Sequence, residues 1–226
     1  MVKILKVAIV TSLLFISGQV VNAYASNVYE HFPTQINADE KYVFYSHGLI
    51  VEGKNPTPTH PRWGVYEFPK VKTALTSEHY NLIAYHRALD TKPRDFAKKL
   101  ASDVDLLIKK GVKAENISLV GFSRGGEITI LASSYINSSA VNIVLLAACS
   151  SFMKGHAEFT VVGNFHSIYE TSDGNGSCQF LVDQSDQINT MKEISISTGK
   201  EHGAFYQALP EWIVPVKNWL ALAGAK

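Results

Sequence analysis

Residues 117–129, Ile-Ser-Leu-Val-Gly-Phe-Ser-Arg-Gly-Gly-Glu-Ile-Thr, constrain the fold more than any other stretch of the chain. An apolar, β-like run from Ile117 to Val120 meets Gly121-Phe122-Ser123-Arg124-Gly125 and gives way to a helix-period run from Ile128 to Tyr135. A strand that reverses into a helix over so few residues needs room where backbones approach, and Gly121 and Gly125 have no Cβ to obstruct it. The turn lifts Ser123 out of the fold. A serine hydroxyl is a weak nucleophile unless it stands beside a base and beside backbone donors for an oxyanion, so those parts must be sought elsewhere in the chain.

Along the chain, apolar β-rich runs alternate with helical ones. Strands are expected at Tyr42–Ser46, Leu82–Tyr85, Ile117–Val120, Val141–Ala148, Phe165–Glu170 and Glu193–Ser197. The clearest helix is Pro93–Lys110, with Phe96, Leu100, Val104, Leu107 and Ile108 on one face, Pro93 in the first turn and Gly111 at the stop. A C-terminal helix is expected to be interrupted by Pro210 and Pro215. This alternation predicts an α/β class: a three-layer αβα sandwich, its mostly parallel sheet covered by helices on both faces.

Lys3 and Lys6 precede an apolar run from Val7 to Ser17, with small residues at Ala23 and Ala25. This reads as a signal peptide over residues 1–23, with cleavage after 25 as the alternative, because the run is too short to span a bilayer. The mature chain, residues 24–226, is then expected to be one exported domain, periplasmic or secreted, with no stable membrane anchor. Removing two lysines changes the formal charge from +1 to −1. Such a near-neutral chain gives no electrostatic case for nucleic acid. In an oxidising compartment Cys149 and Cys178, the only cysteines, are a disulfide candidate. Each follows one of two successive strand-like segments, which puts them at the same edge of neighbouring parallel strands. Neither they nor the scattered histidines show metal-ligand spacing, and no cofactor is implied.

With these elements in order, the chain resembles the α/β-hydrolase fold family over most of its mature length. The resemblance is carried by Tyr45-Ser46-His47-Gly48 at a strand end, the elbow at Ser123, an acidic residue after later strands, and Gly199-Lys200-Glu201-His202-Gly203 before the last helix. It implies a nucleophile at Ser123, a general base at His202 and an orienting carboxylate between them in sequence. Asp173, 29 residues before His202, is the first choice for the acid; Glu170, at the strand end itself, is the alternative. Asp183 and Asp186 are expected on the solvent face of an intervening helix. The resemblance also implies an oxyanion hole built from the backbone N–H groups of Leu49 and Arg124.

About ten residues separate Cys149 from Thr160, where many members of that family insert a helical lid, so a large cap is not expected. The proline-rich loop Val51–Gly64 is the expected pocket wall, with His47, His60 and Trp63 as substrate-pocket candidates. The reading is a serine hydrolase acting on a small acyl ester or thioester. Amide cleavage or acyl transfer would use the same parts, and a non-catalytic binding protein on the same scaffold is the alternative class. The oligomeric state is left open.

Overall fold

Strict alternation within the strands divides the core into two layers. In Tyr42–Ser46 (β2), Tyr42 and Phe44 enter one apolar cluster while Val43 and Tyr45 enter the other. The same division separates Ile117 and Leu119 from Val120 and Phe122 in Ile117–Phe122 (β6), and Ile143 and Leu145 from Val144 and Leu146 in Asn142–Leu146 (β7). Successive side chains of a strand point to opposite faces, and every residue of these three strands is buried, so both faces must be covered.

Pro93–Lys109 (α2), Arg124–Ile136 (α3) and the short Gln179–Asp183 (α4) cover the first face through residues such as Leu100, Leu107, Ile128 and Leu181. Phe68–Leu75 (α1) and Pro210–Leu222 (α5) cover the second through Phe68, Val71, Leu75, Trp212 and Val216. Burying side chains such as Leu100, Val104 and Leu107 stabilises α2 against the sheet by about 1.5–3 kcal/mol each.

The computed structural model describes residues 28–224; the expected signal peptide lies outside them. Val28–Tyr29 (β1), Asn81–Ile83 (β5), Val162–Glu170 (β8) and Gln187–Ile196 (β9) join the three strands above. The seven form one sheet in the order β1-β5-β2-β6-β7-β8-β9, with every pairing parallel. From β2 the chain winds outward to β5 and then returns to β6 on the other side. The loops after β2 and β6 therefore diverge at a topological switch point, where open α/β sheets leave a crevice. No cap is present among the described residues. The segment after β7 holds only a 3-10 turn, Ser151–Met153, before β8.

Several local expectations are corrected. Ile108 is 38% exposed, and Ala97 takes a place on the buried face of α2 in its stead. Pro210 opens α5 at its first turn instead of interrupting it; Pro215 alone lies inside. Asp186 lies beyond the end of α4, and only Asp183 belongs to that helix. β9 begins six residues earlier than expected, at Gln187. It is an edge strand whose polar, partly exposed residues hide the apolar pattern. The sequence reading did not anticipate β1, α1, or a hairpin of Thr59–His60 (β3) with Gly64–Val65 (β4). Phe68, Val71 and Leu75 did carry a helical period in α1, but it is only two turns long.

Candidate active site

At the end of the central strand β6, Ser123 takes φ 52° and ψ −116°, a backbone conformation that residues with a Cβ rarely adopt. Holding it costs about 1–3 kcal/mol, which the surrounding packing must offset. The glycines show how the turn is accommodated. A Cβ on Gly121 would lie 2.4 Å from the Gly125 carbonyl oxygen, and one on Gly125 would lie 1.9 Å from the Ser46 carbonyl oxygen. Gly126, not singled out from sequence, lets α3 pass close to the segment just beyond β7: its Cβ would meet that of Ala148 at 2.1 Å. The Ser123 N–H donates to the Leu146 carbonyl at 3.0 Å, tying the elbow to β7.

Across the crevice, His47-Gly48 follow the end of β2 at Ser46 and the chain enters a 3-10 turn, Leu49–Val51. Gly48 is needed here, because a Cβ would meet the Phe122 ring at 2.9 Å. Leu49 and Ser123 line the same cavity, and Leu49 and Arg124 each open a helical segment, where the first N–H has no acceptor within the segment. The Arg124 side chain points to Glu127, 3.4 Å away.

His47 is not a wall of that cavity, contrary to expectation. It is fully buried, with Nε2 3.0 Å from the Arg87 backbone N–H and Nδ1 2.8 Å from the Gly48 carbonyl oxygen. Burial, then the neighbouring Arg87 charge, holds its imidazole well below the ordinary histidine range. The strand end turns its ring inward against Phe68, with centroids 4.9 Å apart. His86 is likewise tied up, its Nε2 2.7 Å from the Val51 carbonyl oxygen.

The loop after β8 brings Asp173 to His202. Asp173 Oδ2 is 2.7 Å from His202 Nδ1, and Oδ1 accepts the Asn175 backbone N–H at 3.2 Å. Both side chains are under one-tenth exposed. A carboxylate can only accept, so this contact selects the tautomer of the neutral imidazole with its proton on Nδ1 and its lone pair on Nε2. Glu170, the alternative acid, does something different. One of its oxygens accepts the N–H of Ser172 at 2.6 Å and its hydroxyl at 2.5 Å, and the other accepts the N–H groups of Thr198 at 2.8 Å and Gly199 at 3.0 Å. Burial raises this carboxyl, but the combined donors outweigh it and leave it below the ordinary value. Glu170 thus pins the loop of Asp173 to the loop of His202. The disulfide Cys149–Cys178 closes the other end of the Asp173 loop against β7.

His202 lies in a 3-10 segment, Glu201–Tyr206, between Phe122 (centroids 4.8 Å apart) and Trp63 (5.0 Å). The β3–β4 hairpin carries Trp63 there. Trp63 Nε1–H donates to Glu201 at 3.0 Å, Arg62 bonds the other Glu201 oxygen at 2.6 Å, and His60 stacks on the indole at 4.1 Å. His60 and Trp63 therefore line the cavity beside Ile50, and Tyr66, Phe122 and Tyr206 complete its aromatic wall. Burial pushes the Tyr66 phenol up to about 12, so it stays neutral beside its 2.9 Å bond to Tyr45. The cavity is about 600 Å³ and contains Ser123, Asp173 and His202 in its lining. Sequence reasoning missed Glu201, Tyr206 and Asn175; Arg62 and Glu201 are 139 residues apart, and no local pattern announces such a pairing.

No family model and no curated protein matches this sequence. Solved structures do. The esterase RhEst1 from Rhodococcus sp. ECU1013 superposes with a TM-score of 0.54 at 15% identity, over 84% of this chain and 93% of that one. A hormone-sensitive lipase from a metagenome library gives 0.58 at 11% identity, over 83% and 79%. SOBER1 of Arabidopsis thaliana gives 0.51 at 14% identity, over 80% and 97%. At such identities the likeness speaks to architecture, and together with the parallel seven-stranded sheet it establishes that this chain has the α/β-hydrolase fold.

Proposed function

We propose that the protein is an exported serine hydrolase that cleaves a small carboxylic ester or thioester through an acyl-Ser123 intermediate. The observation that carries this reading is that the strained elbow serine and the hydrogen-bonded Asp173–His202 pair line one cavity. His202 Nε2 takes the Ser123 hydroxyl proton as Oγ attacks the substrate carbonyl, then passes it to the leaving alcohol or thiol. Asp173 holds the imidazole tautomer and stabilises the imidazolium. The N–H groups of Leu49 and Arg124 receive the oxyanion. Water, activated by the same histidine, then releases the acid and restores Ser123.

A cavity of about 600 Å³ without a cap suits a short or compact acyl group, and the aromatic wall favours an apolar one. The disulfide agrees with an oxidising compartment, and no helix among the described residues is long and apolar enough to cross a membrane. The test is turnover of p-nitrophenyl esters and acyl thioesters from two to eight carbons. Hydrolysis of the shorter ones that Ser123→Ala abolishes is the expected result. An inert but well-folded protein would instead favour a binding protein on this scaffold, while turnover of amides alone would redirect the reading to an amidase.

A further inference from the structure

Gly48 and Leu49 share one peptide unit, and in a planar trans peptide the C=O and the N–H point in opposite directions. Whatever fixes the Gly48 carbonyl therefore also aims the Leu49 N–H. That carbonyl oxygen lies 2.8 Å from His47 Nδ1. The Arg87 backbone N–H donates to Nε2 of the same ring at 3.0 Å, which makes Nε2 the acceptor and leaves the proton on Nδ1. His47 thus donates to Gly48 from a tautomer that Arg87 selects.

Arg87 also holds this segment by its side chain. Its Nη2–H donates to the His47 carbonyl at 2.5 Å and its Nε–H to Glu52 at 3.2 Å, so one guanidinium fastens both ends of the stretch 47–52. The Arg87 and Glu52 side chains are at most 2% exposed, and Nη1 has no partner among the described residues. A buried ion pair with an unpaired donor is a poor way to gain stability, since desolvation offsets most of the attraction. Its use here is to fix a geometry.

We infer that His47 and Arg87 are positioning residues that lock the Gly48–Leu49 peptide with its N–H toward the cavity, keeping the oxyanion donor formed before substrate arrives. The inference rests on the hydrolase reading for its catalytic consequence, though not for its geometry. Without the lock, rotation of this peptide would turn the Gly48 carbonyl, a negative dipole, toward the forming oxyanion.

The variants His47→Asn and His47→Leu test this. Asn and Leu share branching and size, and both remove the ring and its acceptor for Arg87, but only Asn keeps a donor at the Nδ1 position. With p-nitrophenyl butyrate as probe, His47→Leu is expected to lower kcat about 10- to 100-fold with KM nearly unchanged, since an oxyanion donor acts in the transition state. His47→Asn should recover most of that loss. Equal losses in the two variants, or an effect confined to KM, would overturn the inference. Crystal structures of both give a second readout independent of turnover. The Gly48–Leu49 peptide should be rotated or split in His47→Leu and unchanged in His47→Asn; an unmoved peptide in His47→Leu would overturn the lock. An inert wild type would count against the hydrolase reading, and the structures would still decide the geometry.

Discussion

Asp173 Oδ2 lies 2.7 Å from His202 Nδ1, while Glu170, three residues earlier, spends both carboxylate oxygens on backbone and hydroxyl donors of two neighbouring loops. The two carboxylates have separate tasks, and substitution separates them. Asp173→Asn presents an amide that no longer selects the tautomer, so kcat on a short ester should fall about 10³- to 10⁴-fold with the fold intact. Glu170→Gln puts an amide against donors, which costs about 1–3 kcal/mol of stability and lowers kcat by roughly tenfold or less. Steady-state kinetics and urea denaturation of the two variants check both halves.

The elbow predicts a sharp contrast between two glycines. In Gly125→Ala the new Cβ would sit 1.9 Å from the Ser46 carbonyl, where neither backbone can yield without displacing β2 or α3. A loss of about 3 kcal/mol or more is expected. Gly174→Ala, in the Asp173 loop with open space around it, should change stability by less than about 0.5 kcal/mol. Denaturant melts of both, beside wild type, make the comparison.

The disulfide closes a segment spanning 29 positions that includes β8 and the Asp173 loop. Replacing both cysteines by serine frees that segment in the unfolded chain and should cost about 3–4 kcal/mol. Because the bridge holds the far end of the Asp173 loop, kcat should also fall severalfold while KM moves little. Unchanged stability in the double variant under oxidising conditions would contradict this.

His166 gives a pH-dependent prediction. Burial, with a smaller contribution from the Lys192 charge, pushes its imidazole down to about 4, against an ordinary value near 6.5 in the unfolded chain. The unfolded state therefore binds the proton first, and stability contributed by neutral His166 is full above pH 6.5 and lost as pH falls toward 4. The ring is partly solvated and packs on Trp219 at 4.5 Å, so the effect should be on the order of 1–2 kcal/mol. His166→Phe keeps the ring contact and removes the titration. The difference in unfolding free energy between pH 7 and pH 4.5 should shrink by that amount relative to wild type.

How much of this was legible in the sequence depended on whether the signal was local. The elbow was, because Gly121, Ser123 and Gly125 announce a strand-to-helix reversal within five residues. The two-layer core was also legible, since buried parallel strands leave unbroken apolar runs such as Ile143–Leu146. The strand after Asp183 was legible only in its second half, because an edge strand needs apolar residues on part of its surface alone. His47 reads from sequence as a residue near the crevice; only the path of the loop turns its ring into the core. The hairpin carrying Trp63 and its bond to Glu201 join segments 138 positions apart, and no pattern in either segment specifies the other.

The central claim is that Ser123 is an activated nucleophile, and covalent labelling with a fluorophosphonate tests it most directly. Purified protein, Ser123→Ala and His202→Ala should be treated side by side and the adduct located by peptide mass spectrometry. An adduct on Ser123 that is absent in Ser123→Ala and at least about 10²-fold slower to form in His202→Ala is the predicted result. No adduct on folded protein, or one on another residue, would contradict it.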